Sequence, residues 1–288
     1  MKKRSYLHII LKIYFTLLFV ILVFHNKTFA EPPQINWIAG PTVVDLGSDI
    51  AEIDIPEEYM FANSEDSVKL MEFFGNRPSK KEVGTIFPTD DTKGWFILFE
   101  YSPSGYVKDD EKDSIDADAL LKSMKRATEK GNKWRSEKGF PPLHLIGWQE
   151  EPYYDLKTNN LTWATLVESE GQKSANFNTR LLGRQGHMAI TLVSDPNTLN
   201  SLKPELESIL ANFYYKKGKK YAEYLQGDKV AKYGLTALIA GGAGAAAIKY
   251  GLLGMLAKSW KIVAVAVVGF FSIIWGVIKS FFGRKDNT

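Results

Sequence analysis

Apolar and polar positions divide this 288-residue chain into three stretches. One unbroken apolar run over 13–24 stands near the start, and two longer blocks, 235–257 and 262–282, stand at the end. Between them apolar residues alternate with polar ones or recur every three to four positions, the signatures of half-buried strands and amphipathic helices. Alternation predicts short strands over 42–46 and 50–55 around a Gly47-Ser48 turn. It also predicts a hairpin of 83–87 with 95–101, in which Trp95, Ile97, Phe99 and Tyr101 share a face. A helix capped by Asn63 or Ser64 is predicted to run to about Phe74, where Gly75-Asn76-Arg77-Pro78 ends it.

A second helix is predicted from Asp116, with Leu120, Leu121, Met124, Ala127 and Trp134 on one face. Four consecutive antiparallel strands follow over 143–149, 161–168, 175–182 and 187–193, with tight turns at Gly171-Gln172 and Gly183-Arg184-Gln185-Gly186. A third helix over 199–210 places Leu199, Leu202, Leu206 and Ile209 together. Pro204 is expected to fit there only near the first turn. Residues 212–215 read as a last strand. This order predicts an α+β domain, an antiparallel sheet with helices packed on it.

The end runs predict a membrane protein. Lys2, Lys3, Arg4 and Lys12 precede an apolar run too short to span comfortably, and a small residue, Ala30, precedes Glu31-Pro32-Pro33. Residues 1–30 therefore read as a secretory signal, with an uncleaved anchor as the alternative because Thr28 is a less usual residue than Ala at its position. Residues 31–232 are then extracytoplasmic, and 233–288 form a C-terminal membrane anchor of one or two transmembrane helices. The block over 262–282 is long enough to span. The earlier one is rich in Gly and Ala at spacings that suit close helix contact. A hairpin is preferred because that earlier block is long and carries only Lys249, which either snorkels, faces a partner helix or serves as an intramembrane charge.

Charge sharpens this division. Residues 1–30 hold five Lys/Arg and no acid, 233–288 hold six and a single Asp, and the middle holds 25 against 32 acids. The basicity thus belongs to the membrane flanks, and an acidic middle argues against nucleic acid as a partner. The expected partners are the lipid bilayer and another envelope protein or a second copy of the chain. Cysteine is absent, which excludes disulfides and thiol chemistry. No phosphate-binding loop, dinucleotide fingerprint, nucleophile elbow or paired-histidine metal motif occurs, and no cofactor or metal is expected.

Four polar features remain. The acid run over 109–118 lacks the Gly and Glu of a calcium loop and reads as helix capping by Asp116 in a solvated loop. Of the histidines, His144 and His187 lie in the middle region, both in predicted strands. Asn176, Asn178 and Arg180 line up on one strand face with Arg184 in the following turn, a row that either binds an anionic or sugar ligand or pairs with the domain's own acids. Lys216, Lys217, Lys219 and Lys220 interleave with tyrosines just before the anchor, suited to anionic lipid headgroups or to a solvated tip.

Several motifs look familiar together. They include Gly75-Asn76-Arg77, Gly105-Tyr106-Val107-Lys108-Asp109-Asp110, Gly147-Trp148, Leu161-Thr162-Trp163-Ala164, Asn178-Thr179-Arg180-Leu181-Leu182-Gly183-Arg184 and Gly227-Asp228-Lys229-Val230-Ala231. Through them the chain resembles a bacterial family of membrane-anchored proteins, domain of unknown function 2167. Phe177 departs from the Tyr expected there. The resemblance implies the bacterial envelope, on the inner membrane with the main domain facing the periplasm or exterior. It implies no chemistry. The late strand–helix–strand order also resembles Mog1/PsbP-like sandwiches. The function expected is an envelope binding or scaffold protein. The alternatives are an envelope hydrolase using acids with His144 or His187, and an oligomerising or transport accessory acting through the Gly/Ala-rich tail.

Overall fold

The structure, a computed structural model, describes residues 32–241. Residues 32–35 belong to an N-terminal unit and carry no helix or strand there, and Asn36 onward belongs to a second unit. The predicted signal segment and all but the start of the predicted anchor lie outside the described residues. Among the described residues no helix is long and apolar enough to cross a membrane.

Among the described residues eleven strands form two antiparallel sheets. The larger contains β1 (Ile38–Ala39), β4 (Tyr59–Asn63), β5 (Glu82–Pro88), β6 (Phe96–Ser102), β7 (His144–Asp155), β8 (Asn160–Ser169), β9 (Gln172–Leu182) and β10 (His187–Ser194), in the order β1-β4-β5-β6-β10-β9-β8-β7. The smaller contains β2 (Thr42–Leu46), β3 (Ala51–Ile55) and β11 (Phe213–Tyr215) in the order β11-β3-β2. Four α-helices accompany them among the described residues: α1 (Ser64–Phe73), α2 (Ala117–Glu137), α3 (Leu199–Leu210) and α4 (Leu235–Ala240). The predicted α+β class, antiparallel sheet and packed helices are therefore present.

Side-chain alternation gives the large sheet two unlike faces. On one, Ile97 and Phe99 of β6, Phe177 of β9 and Met188, Ile190 and Leu192 of β10 meet Leu199, Leu206 and Ile209 of α3 and Leu46, Ile53 and Ile55 of the small sheet. This sealed side is the main core. The opposite face carries a second cluster over β8 and β9, where Leu161, Trp163 and Leu182 pack with Leu120 of α2 and Leu235, Leu238 and Ile239 of α4. Helix α1 covers β5 on this same side, with Ser67 hydrogen-bonded to Thr85 at 2.8 Å. Between α1 and α2 the face stays partly open, with Phe96, Leu98, Glu100, Thr191 and Val193 all partly exposed.

The helix caps fall where the residues require them. The Asn63 carboxamide accepts from Asp66 N–H at 3.0 Å, and the Asp116 carboxylate accepts from Ala119 N–H at 2.9 Å. Ala127, expected on the buried face of α2, is exposed, and Ser123 is buried instead. Pro204 lies in the second turn of α3, deeper than expected. Its position and Asn200, whose carbonyl loses a partner, are both exposed, so water can replace the lost bond.

The edge of the packed domain also moves. A boundary at 232 leaves out α4, yet Leu235 is fully buried and Leu238 and Ile239 nearly so. The packed domain therefore runs to at least Ala240. Glu111, from the acid run, accepts from Thr236 N–H at 3.0 Å where α4 begins. A Cβ on Gly234 would lie 2.5 Å from that carboxylate, so glycine is what lets the two segments meet.

Candidate functional site

The open face is a grid whose rows follow from the strand register. Phe96, Val193 and Asn176 stand side by side, then Leu98, Thr191 and Asn178, then Glu100, Ala189 and Arg180, then Ser102, His187 and Leu182. The first row is apolar except for Asn176; the last two hold the charged and polar side chains Glu100, Arg180, Ser102 and His187 beside Ala189 and Leu182. The face therefore has two ends.

At the polar end lies a cavity of about 200 Å³. Its floor is Ala189, flanked by Glu100 and Arg180, with His187 and Ser102 behind. Ser79 and Lys81 line one side, and Tyr233, Ala237 and Leu238 of the α4 region line the other. One intervening strand puts the Glu100 and Arg180 backbones about 10 Å apart, at roughly 4.8 Å per strand. No ion pair joins them. Glu100 instead accepts from the Ser79 hydroxyl at 2.5 Å, and Arg180 lies over the Trp163 ring at 4.6 Å, with one N–H donated to the Thr179 carbonyl at 3.2 Å.

The loop supplying Ser79 and Lys81 is built round a buried acid. The Glu82 carboxylate accepts from the backbone N–H of Ser79 at 2.6 Å and of Lys81 at 2.9 Å, while Lys80 between them adopts a left-handed φ of 63°. Such a conformation costs a residue with a Cβ of order 1 kcal/mol, offset here by the carboxylate's two bonds. On the far strand, Gly186 lets β10 start against β6. A Cβ there would sit 2.1 Å from the Ser102 carbonyl oxygen.

His187 is 6% exposed, and its Nδ1 is buried without a hydrogen-bond partner. Burial, reinforced by the Arg180 and Lys81 charges, lowers its pKa to about 3, so the ring is neutral at physiological pH. Burial also lowers the Arg180 guanidinium to about 10, with Glu100 acting against the shift, so Arg180 stays charged.

At the other end four aromatic rings gather. Phe96 stacks with Phe87 at 5.2 Å and with Phe74 at 5.3 Å, and Trp37 meets Phe87 edge-on at 5.4 Å. Trp37 and Phe74 are exposed at 40% and 38%, unlike the rings of the main core. Here α1 and α2 meet at their C-terminal ends, where Arg135 donates to the Gly75 carbonyl at 2.7 Å.

Asn176, Asn178 and Arg180 do share one face, as expected. Only Arg180 reaches the cavity. Asn178 is buried, donating to the Asn176 carbonyl at 2.8 Å and accepting from Thr191 at 3.1 Å. Arg184 is taken up by Asp228 in a two-bond pair at 2.7 and 2.8 Å, which holds the Asp228 carboxyl down at about 2 with help from Leu225 N–H. Of the four lysines, Lys216 is bound to Asp45 and to the Ser48 carbonyl, and Lys219 pairs with Asp49 at 2.9 Å. Lys217 and Lys220 are exposed. His144 is exposed and meets Glu129 at 2.9 Å, while His187 lines the cavity on another strand. Among the described residues no three acids and histidines gather into a metal site.

Lys81, Glu100, Ser79 and Ser102 escaped the sequence reading. They carry no motif: Glu100 and Ser102 stand on β6, Ser79 and Lys81 on the loop before β5, and β9 and β10 complete the cavity. The one legible trace was β6, where Glu100 and Ser102 break the apolar run on the face opposite Ile97 and Phe99.

Fold and site define an antiparallel α+β domain with one sealed and one open sheet face. The chain belongs to the family described as "Protein of unknown function (DUF2167)", whose model matches residues 38–272. No curated protein matches the chain. Among solved structures, it is similar to cyanobacterial PsbP (CyanoP) from Synechocystis sp. PCC 6803, with 12% identity, a TM-score of 0.39, and coverage of 62% of this chain and 94% of that one. It is also similar to the Ran-binding protein Mog1p of Saccharomyces cerevisiae, with 9% identity, a TM-score of 0.29, and coverage of 67% and 100%. A third is the immunity protein TplEi of the Pseudomonas aeruginosa T6SS, with 7% identity, a TM-score of 0.25, and coverage of 69% and 84%.

Proposed function

We propose that this chain is a membrane-anchored protein of the bacterial envelope whose extracytoplasmic domain binds a partner and catalyses no reaction. The exposed aromatic end of the open face carries the binding part of this reading. Rings left in water cost free energy unless something covers them, and aromatic clusters are favoured contact surfaces. Placement in the envelope is supported by the basic, apolar first 30 residues and by the apolar blocks after α4. Lys217 and Lys220, exposed near that anchor, suit contact with anionic headgroups more than the two lysines already paired with acids.

The hydrolase alternative has less support. His187 faces two cations and no orienting carboxylate, so it would hold an abstracted proton poorly. His144 and Glu129 lie exposed, outside the cavity.

A photo-crosslinking residue at Phe74 in intact cells tests the binding role. Capture of one defined envelope component is expected, and it is lost when Trp37 is also changed to Ser. No specific capture from any position on the aromatic end would overturn it. A reporter enzyme fused near position 200 and active only in the cytosol, or a full-length chain washed from membranes by carbonate, would overturn the placement.

A further inference from the structure

On the binding role read above, we propose that the polar cavity takes up a small anionic group, a phosphate or a carboxylate, with Arg180 and Lys81 as its counter-charges. The ligand enters over Ala189, the small residue between Glu100 and Arg180.

Three observations converge on this. Arg180 is partly buried and forms no ion pair with any described residue; its contacts are a ring face and one backbone carbonyl. A guanidinium withdrawn from water without a counter-ion is costly, and a bound anion removes that cost. His187 and Ser102, side by side in the register, both line the cavity, and the buried His187 ring has an unpartnered Nδ1. A neutral imidazole can donate one N–H and serine one O–H, which with the planar guanidinium gives donors from two sides.

Glu100 is the single acid among the lining residues. Glu100 stands across the cavity and is occupied by the Ser79 hydroxyl, leaving Lys81 and Arg180 in excess by one positive charge. The size fits a single such group with some of its carrier: about 200 Å³ holds several water-sized volumes of roughly 30 Å³ each. Two sources share this chemistry. A free anion can enter from solvent, and a lipid headgroup can enter with its chains against Ala237 and Leu238, apolar residues of the cavity lining.

The test uses the full-length chain in maltoside micelles, which contain no phosphate. Binding of inorganic phosphate and of acetate is followed by calorimetry, with phosphorus line broadening for the former. Saturable binding of at least one is expected, weakened at least tenfold by Arg180→Gln. Lys81→Gln, at an exposed position with no fold contact to lose, is expected to weaken it several-fold, and Lys130→Gln, exposed on α2, not at all. Short-chain phosphatidylglycerol is then added. Competition with the bound anion assigns the site to a headgroup, and absence of competition assigns it to a soluble anion. No saturable binding of phosphate, acetate or phosphatidylglycerol, or equal binding by wild type and Lys81→Gln, overturns the site. Capture at Phe74 is unaffected by such a failure, so the binding role and the anion site can fail separately.

Discussion

The two faces of the large sheet use the same strands to opposite ends. Along β6, Ile97 and Phe99 point into a core that excludes water completely, while Phe96, Leu98 and Glu100 point at a surface that α1, α2 and α4 cover only in part. The sealed face is mostly apolar, broken by the hydrogen-bonded pair Thr162 and Thr179. The open face grades from aromatic to charged over four rows. The main core lies on one side and the cavity and exposed rings on the other, so a residue's row and face say more about its surroundings than its type does.

Deleting the same side chain on both faces gives the widest contrast. Phe99→Ala on the sealed face is expected to cost about 3–5 kcal/mol in urea denaturation. Phe74→Ala on the open face is expected to cost about 1 kcal/mol. Equal losses would mean that the aromatic end is a second core and not a surface.

Acid sharpens the comparison next. His187 has a lowered folded pKa, so the unfolded chain binds the proton more readily. Stability is therefore full above about pH 6.5 and falls as pH drops toward 3. The fall is a few kcal/mol in all, on the order of 1.4 kcal/mol for each pH unit crossed. His187→Gln should flatten this limb, read as Tm against pH. An unchanged slope would remove the argument for a buried, neutral imidazole.

Asp228 works in a lower window. Its carboxyl is depressed by Arg184, so its contribution is present above the unfolded value near 4 and is lost as pH falls toward about 2. Asp228→Asn should make the melting curve less acid-sensitive below pH 4 while leaving the His187 limb intact. The smallest effect is expected at Lys217, where Lys217→Gln should leave Tm unchanged. A measurable drop there would reveal a contact that the exposed turn after β11 does not show.

Much of the sealed face was legible in the sequence because local signals agreed. Glycine turns bracket four alternating strands, and α3 matches its predicted span with Leu199, Leu206 and Ile209 buried. Strand β4 was missed because Tyr59–Asn63 runs directly into the cap of α1 and leaves no turn to mark it. Helix α4 was missed because its apolar residues merge into the block that follows, and composition cannot separate core from membrane. The open face was legible only in part. Strand periodicity put Arg180 on the correct face, but its neighbours come from β6, β10 and a loop held by Glu82, and pairing of that range leaves no local trace. Arg184 was drawn to Asp228, 44 positions away, for the same reason.

Helix α4 has a mechanical consequence. Six residues connect the fold to everything after Gly241, and they are wedged between Trp163 and Leu182 on one side and the cavity on the other. Such a short rod has no slack. A pull or twist on the chain beyond it would reach Leu238 and Ala237, the wall of the cavity, through only Ala240 and Ile239.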